Sequence, residues 1–330
     1  MGIDCGSQVV LCEYPIRLDT YKGCSHDCKY CFARFKSNIE KIQPLNVEDS
    51  LRAFIQGKRT QRVNWCDWKI PLHWGGLSDP FQPAEHKYKT SLKALEIFAE
   101  TQYPFIVSTK GKLIVEQPYL QLLSRCKCVV QISMTSPLLD KLEQGAPTFN
   151  ERIKIVEKLA PNVPRVIVRA QPYMVECKQT LLKALPALKS VGAYGVTLEG
   201  MKFKKKKPSL VRAAGDYCYP KERLKSDYLI IREKCHELGL AFYCAENRLR
   251  YLGDSTACCG CGDLDGFKGN SFNCVSLVNG AKAQPTKRQL ETGTTSCFKG
   301  IKQNSISSKI LPKMSFADMM KSEISKMQKQ

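Results

Sequence analysis

The segment Tyr21-Lys22-Gly23-Cys24-Ser25-His26-Asp27-Cys28-Lys29-Tyr30-Cys31-Phe32-Ala33-Arg34 spaces three cysteines as CxxxCxxC on what reads as one loop. It follows directly on Ile16-Arg17-Leu18-Asp19-Thr20, whose alternation predicts a strand. Such a loop can present three thiolates to three corners of an iron–sulfur cubane, leaving the fourth iron open. A structural zinc normally takes four ligands, from paired CxxC units or histidines, which this loop alone does not supply. Three buried packing cysteines are the remaining alternative.

Outward from the loop, β-branched runs alternate with amphipathic segments as far as about residue 245. Strands are predicted near 16–20, 70–74, 104–108, 129–134, 165–170, 194–199 and 240–244, with helices near 47–58, 84–100, 114–124, 149–159, 180–190 and 221–238. Within 84–100, Tyr88, Leu92, Leu95, Ile97 and Phe98 form one apolar stripe while Lys87, Lys89 and Lys93 face water. This alternation predicts repeated βα units and a parallel sheet. Six or seven units are too few for an eight-fold barrel, so the expected fold is α/β, an open or partial parallel β/α barrel. Its working residues should gather at the carboxyl ends of the strands. Beyond about 245 the periodicity gives way to Gly, Asn, Asp and Cys, and the expected division is 1–245 barrel, 246–280 cysteine-rich metal-binding element and 281–330 basic tail.

The 330 residues are 43% hydrophobic and 25% charged, which excludes collagen-like, coiled-coil and wholly disordered chains. No apolar stretch approaches the roughly 20 residues of a membrane helix. Met1-Gly2-Ile3-Asp4-Cys5 has neither the basic nor the apolar region of a secretory signal, so a cytoplasmic location is expected. In a reducing compartment, 17 cysteines point to metal or redox chemistry rather than a disulfide framework. Lys plus Arg exceed Asp plus Glu by 51 to 31, a net charge of +20. A polyanionic partner, nucleic acid or another phosphate-rich substrate, is the physical reading, with Lys202, Lys204, Lys205, Lys206 and Lys207 as the basic surface; the alternatives are a charge that only keeps the protein soluble and a solvated lysine loop.

A second group, Cys244, Cys258, Cys259, Cys261 and Cys274, falls within 31 positions. Cys258 and Cys261 form a CxxC able to bind one centre, and Cys244 and Cys274 could complete four ligands, with Cys259 as an alternate. A second [4Fe–4S] cluster and a zinc ion both fit this spacing. Cys12 and the other scattered cysteines read as packing residues, and Trp65, Trp68 and Trp74 as core or as stacking platforms for a base.

The three-cysteine loop, with Tyr30 just before its last cysteine, resembles the signature of the radical S-adenosylmethionine (SAM) superfamily. Leu77-Ser78-Asp79-Pro80-Phe81-Gln82-Pro83-Ala84-Glu85, Val107-Ser108-Thr109-Lys110 and Gln131-Ile132-Ser133-Met134 look like strand-end motifs of its spore photoproduct lyase-like branch. The resemblance implies a radical SAM partial barrel with a [4Fe–4S] cluster on Cys24, Cys28 and Cys31, whose open iron holds SAM. It implies an external electron donor, and a 5′-deoxyadenosyl radical that takes hydrogen from a nucleic acid or nucleotide. Carried over by position, Ser78 and Asp79 would meet the SAM amino group, Lys110 its carboxylate and Ser133 its ribose. Arg169 would reach the carboxylate or substrate, and Gly75 and Gly76 would let SAM lie against the sheet. The lyase's hydrogen-donating cysteine precedes the Ser-Asp stretch, whereas this chain reads His73-Trp74-Gly75-Gly76-Leu77, so Cys66 or another thiol substitutes, or hydrogen is not returned that way. A radical enzyme acting on a peptide or small metabolite through an auxiliary cluster is one rival. A non-catalytic, metal-stabilised nucleic-acid-binding module is the other.

Overall fold

The computed structural model of the protein describes residues 3–5, 12–14, 16–35, 38–56, 71–213 and 216–267. Cys66, Cys274, Trp65, Trp68 and the whole expected tail 281–330 lie outside the described residues. One eight-stranded sheet organises the rest, and its spatial order follows the sequence. The strands are β1 (Ile3–Cys5), β2 (Ile16–Leu18), β3 (Leu72–Trp74), β4 (Phe105–Thr109), β5 (Cys128–Ser133), β6 (Val166–Tyr173), β7 (Gly195–Gly200) and β8 (Ala241–Cys244). β2 to β8 run parallel, and β1 adds an antiparallel edge to β2 that the hydrophobic pattern did not announce. β2 pairs with β1 and β3, and β8 with β7, so the sheet stays open as expected.

Helices α1 (Glu48–Ile55), α2 (Thr90–Thr101), α3 (Phe149–Leu159), α4 (Lys178–Ser190) and α5 (Lys221–Glu237) cover the outer face. α3 begins at a full capping box, Thr148 with Glu151, which satisfies two helix-end amides reciprocally. The segment expected to be one helix over 84–100 is two, Glu85–Tyr88 and α2, broken at Lys89 with φ of 51°. The break has a purpose in packing. It lets the fully buried Glu85 carboxylate accept from the first amides of the next helix, Ser91 (3.0 Å) and Leu92 (2.8 Å), and from the Tyr119 hydroxyl (3.0 Å).

Strand alternation divides the interior in two. Phe105, Val107, Val130, Val168, Val196 and Phe242 pack outward under the helices, with Trp74 fully buried against Phe81, Phe98 and Phe105. Trp74 is therefore a core residue and not a stacking platform. Ile106, Val129, Ile167 and Tyr243 point into the barrel. There they meet Ala257, Cys259, Cys261 and Phe267, so the first half of the cysteine-rich element is a plug beneath the sheet. Arg165, just before β6, fastens it with paired hydrogen bonds to Asp263 (2.7 and 3.0 Å) and one to the Gly260 carbonyl (2.6 Å).

Only the first lysine of the run lies in a strand, while Lys204, Lys205, Lys206 and Lys207 are exposed. Lys202–Phe203, Val211–Ala213 and Asp216–Cys218 make a small antiparallel sheet. Lys204 pairs with Asp216 (2.5 Å), and Lys202 is largely buried beside Glu246 (3.3 Å). Of the five lysines proposed as a phosphate track, Lys202 therefore belongs to the interior.

Candidate active site

Strand ends and the cysteine loop enclose one cavity at the carboxyl rim, as the parallel topology requires. Cys24, Cys28 and Cys31 line it together, as do Tyr30, Gly75, Gly76, Ser78, Asp79, Lys110, Ser133 and Arg169. Every residue assigned to the first cluster and to SAM is thus brought to one place.

The loop's shape comes from backbone ties. Cys24 N–H donates to the Ile39 carbonyl (2.8 Å), Lys29 N–H to Leu142 (2.8 Å), and the Ser25 N–H to Gln82 Oε1 (2.7 Å). Gln82, fully buried, returns its amide N–H to the carbonyls of Gly23 (3.3 Å) and Asp79 (3.1 Å). Gly23 has φ of 75°, and a Cβ there would stand 2.7 Å from the Lys41 carbonyl, so glycine is required at the loop's entry. Gly75, with φ of 88°, is under the same constraint, since a Cβ would stand 2.4 Å from the Ser108 carbonyl.

Asp79 is more committed than its assignment to the SAM amino group suggests. Oδ1 accepts from the Phe81 amide (2.9 Å) and the Thr109 hydroxyl (2.6 Å), while Oδ2 accepts from the Lys110 amide (2.6 Å) and lies 3.2 Å from His26 Nε2. Burial alone would raise its pKa, but His26 and these donors hold it below the ordinary value. Three donors are bonded to it and His26 stands in charge contact with it, so Asp79 ties the β3 and β4 ends together beside the cysteine loop. His26 also contacts the Gly145 carbonyl through Nδ1 (2.8 Å). Asp19 does similar work for the next turn, accepting from the amides of Leu77 (2.9 Å) and Ser78 (3.2 Å). Burial pushes its carboxyl up to about 6.

Arg169 faces the cavity, yet Nη1 donates to Ser108 Oγ (2.8 Å) and Gln131 Oε1 (3.2 Å), and Nε to Gln171 Oε1 (2.5 Å). With His73, whose Nε2 lies 3.0 Å from Ser108 Oγ, it forms a polar layer under the cavity floor. Burial, then the Arg17 and Arg169 charges, push the His73 pKa well down, which keeps the ring neutral. Lys110 keeps its ammonium at the cavity wall, 5.9 Å over the Tyr30 ring and 3.9 Å from Glu143. Tyr30 donates to the buried Glu143, which also binds Arg152, and Arg152 in turn donates to the Ser133 carbonyl (2.7 Å). The Glu143–Arg152 pair was not foreseen, because a separation of nine positions across a turn and a helix start marks no contact and Tyr30, its third member, lies 113 positions from Glu143. Gln82 stood inside a quoted motif without a role.

The donor set suits an iron–sulfur cluster. Burial, with Asp79 nearby, pushes the Cys24 thiol up to about 12, and burial pushes Cys28 up to about 11. An ionised thiolate here is unfavourable on its own and is stabilised by a cationic metal centre. Among the described residues no three His, Cys, Asp or Glu side chains converge on one ion.

At the other end of the barrel, Cys258, Cys259 and Cys261 are brought together with Cys12, a residue read from sequence as packing only. Cys244 does not join them. It packs on the helix side with Leu198 and Phe242 while its neighbours Tyr243 and Ala245 face the plug, because successive strand residues alternate sides. The four-ligand set Cys244, Cys258, Cys261 and Cys274 is therefore not assembled among the described residues. Cys258 is pulled below its ordinary pKa by the adjacent Cys259 thiol, then by Arg250 and Arg169, which outweigh its burial.

No family model matches the chain. The uncharacterized proteins Rv2578c of Mycobacterium tuberculosis and Mb2609c of Mycobacterium bovis are each 25% identical over 198 residues, 55% of this chain and 57% of theirs. The chain thus spans just over half the length of these relatives. Among solved structures, spore photoproduct lyase complexed with dinucleoside spore photoproduct aligns at a TM-score of 0.57 and 17% identity, over 70% of this chain and 76% of the lyase. A doubly substituted form of the lyase, with bound AdoMet and the dinucleoside, aligns at 0.58 and 16% over the same shares. Streptococcus suis SuiB bound to S-adenosylmethionine aligns at 0.51 and 12%, over 74% of this chain and 54% of SuiB. The chain shares the fold of these structures, an open parallel β/α barrel, as the alternation of strands and helices led one to expect. No helix among the described residues is long and apolar enough to cross a membrane.

Proposed function

We propose that the protein is a radical SAM enzyme, with a [4Fe–4S] cluster on Cys24, Cys28 and Cys31 and SAM in the adjoining cavity. One observation carries this reading: three thiols of a single loop line the same cavity as the strand-end residues Gly75, Ser78, Lys110 and Ser133. When bound, the cluster and SAM together supply one-electron cleavage of a carbon–sulfur bond and a 5′-deoxyadenosyl radical able to abstract hydrogen. The chain's own residues bind and orient. Lys110 is the cation for the SAM carboxylate, Ser78 and Ser133 offer hydroxyls, and Gly75 and Gly76 allow close approach. Asp79 and His26 keep the cysteine loop against the strand ends.

The substrate in this reading is a nucleic acid or nucleotide. The net charge of +20 supports it, as does the dinucleoside held by the lyase of like fold. The reading includes an external reductant and a cytoplasmic setting. Anaerobic reconstitution with iron and sulfide, then reduction with SAM, tests it. About four irons per chain on the loop and formation of 5′-deoxyadenosine are expected, and zinc without iron and no product would overturn it. About eight irons would add a second cluster at the Cys258–Cys261 end, and four irons with one zinc would make that site a zinc centre.

A further inference from the structure

The short segment Cys12-Glu13-Tyr14 is fastened across the plug at the foot of the barrel. Glu13 Oε1 accepts from the Thr256 hydroxyl (2.7 Å), and the Tyr14 hydroxyl donates to the Phe267 carbonyl (3.0 Å), so two consecutive residues reach across 243 and 253 positions of chain. Cys12, next in line, packs with Cys259 and Cys261 in the apolar cluster of Ile106, Val129 and Ile167, and Cys258 adjoins that cluster. The sulfurs bear on one another. Cys258 touches Cys259, and Cys12 lies within electrostatic reach of both Cys259 and Cys261. The Tyr14 hydroxyl stands against Cys261, and the buried Arg250 against Cys258. The turn that carries three of the thiols is sharp: Gly260 N–H donates to the Ala257 carbonyl (2.8 Å), with Cys258 and Cys259 at its centre. A Cβ on Gly260 would stand 2.7 Å from the Tyr243 ring, so only glycine lets the cysteines on either side of it both lie against the barrel interior.

We propose that Cys12 joins Cys258, Cys259 and Cys261 in a thiolate-bound metal centre, an iron–sulfur cluster or a zinc ion, which locks the N-terminal segment to the plug. Four thiols brought from two distant segments to one buried place are the donor set that both centres take. A four-thiolate centre of either kind carries net negative charge, and the Arg250 guanidinium, acting on Cys258, Cys12 and Cys259, is the cation that offsets it. Neutral packing thiols would not call for a buried guanidinium among them. Cys244 is left out because it faces the helices. Among the described residues no three such side chains already surround one ion, so filling the site takes a turn of the cysteine rotamers. The assignment gives a ligand set to the second site named above and does not depend on the radical SAM reading, which concerns the other end of the barrel.

The test counts metal and acid-labile sulfide in full-length protein whose loop is silenced by Cys24→Ala, Cys28→Ala and Cys31→Ala, so that only the plug is read. Reconstituted anaerobically with iron and sulfide, or with zinc, and desalted against a chelator, that protein should keep about four irons or about one zinc per chain. Adding Cys12→Ser should lower the metal kept by roughly tenfold or more, whereas adding Cys244→Ser should leave it unchanged. Iron with sulfide identifies a cluster and zinc a mononuclear site, and either supports the proposal when Cys12 is needed to hold it. No metal in the loop-silenced protein, metal kept in Cys12→Ser, or metal lost with Cys244 instead would each overturn it. A second measurement keeps Cys12 in place and so does not depend on the folding of Cys12→Ser. With N-ethylmaleimide and peptide mass analysis of the loop-silenced protein, bound metal should slow alkylation of Cys12 by roughly tenfold or more and of Cys244 hardly at all. Equal rates with and without metal, or equal slowing at both positions, would also count against the site. Iron and 5′-deoxyadenosine measured on wild type report on the loop separately, so the failure of either site leaves the other standing.

Discussion

Cysteines cluster at both ends of this barrel, in opposite settings. At the carboxyl rim, Cys24, Cys28 and Cys31 stand on a loop shaped by backbone ties and line a cavity of mixed polar and apolar walls. At the amino-terminal end, Cys12, Cys259 and Cys261 are buried among Ile106, Val129, Ile167 and Tyr243. The polar layer of His73, Ser108, Gln131 and Arg169 separates the two. Residue type is shared, but the first group lines a cavity and the second is packed inside the barrel. The number of cysteines in a segment therefore says less than which way the strands beside it turn their side chains.

The most severe way to break this contrast is to replace Cys24, Cys28 and Cys31 together by alanine. Iron analysis should show the loss of about four irons per chain, and 5′-deoxyadenosine should fall to background, while circular dichroism keeps the wild-type spectrum. Next in size is Arg152→Met, which leaves the Glu143 carboxylate buried without its strongest partner. Denaturant unfolding should register a loss of roughly 3–5 kcal/mol. Glu143 has a lowered pKa, with the Lys110 and Arg152 charges outweighing burial. Its contribution is therefore complete above the unfolded carboxylate pKa and disappears as pH falls through the lowered folded value. The deficit of Arg152→Met should accordingly shrink in acid, a pH series that a packing defect alone would not give.

At the plug, Arg165→Met removes the paired bonds to Asp263 and the bond to the Gly260 carbonyl. Hydrogen exchange over 257–267 should accelerate, with about 1.5–3 kcal/mol lost and the iron content of the loop kept. Gly260→Ala acts on the same segment by another route, since φ is 67° and a Cβ would stand 2.7 Å from the Tyr243 ring. A loss of roughly 1–3 kcal/mol is expected there. The smallest effect is at the α3 cap, where Thr148→Ala should cost about 1 kcal/mol by thermal unfolding and leave both cysteine groups as they are.

Much of this was legible in one dimension. The seven strands that became β2 to β8 were predicted within a few residues, because buried parallel strands are short β-branched runs set off by turns. What failed was non-local. The antiparallel β1 is three residues long and carries no period to read. The contact of Lys202 with Glu246, 44 positions away, has no local signature, whereas Lys204, Lys205, Lys206 and Lys207 are exposed as the solvated-loop alternative had it. Cys12 packs as expected, but nothing local announces that it does so beside Cys259 and Cys261.

The sequence by itself determined the βα order, the parallel sheet and the three-thiol loop behind its first strand, since each is written in periodicity or spacing over a few residues. Tertiary structure alone decided that Asp79 ties two strand ends together, that Arg169 is held in the layer below the cavity, that Cys12 meets Cys259 and Cys261, and that Cys244 turns away from Cys261. Those outcomes depend on which distant donors and acceptors meet in a buried place, where each must find a partner, and on which side of a strand a residue falls.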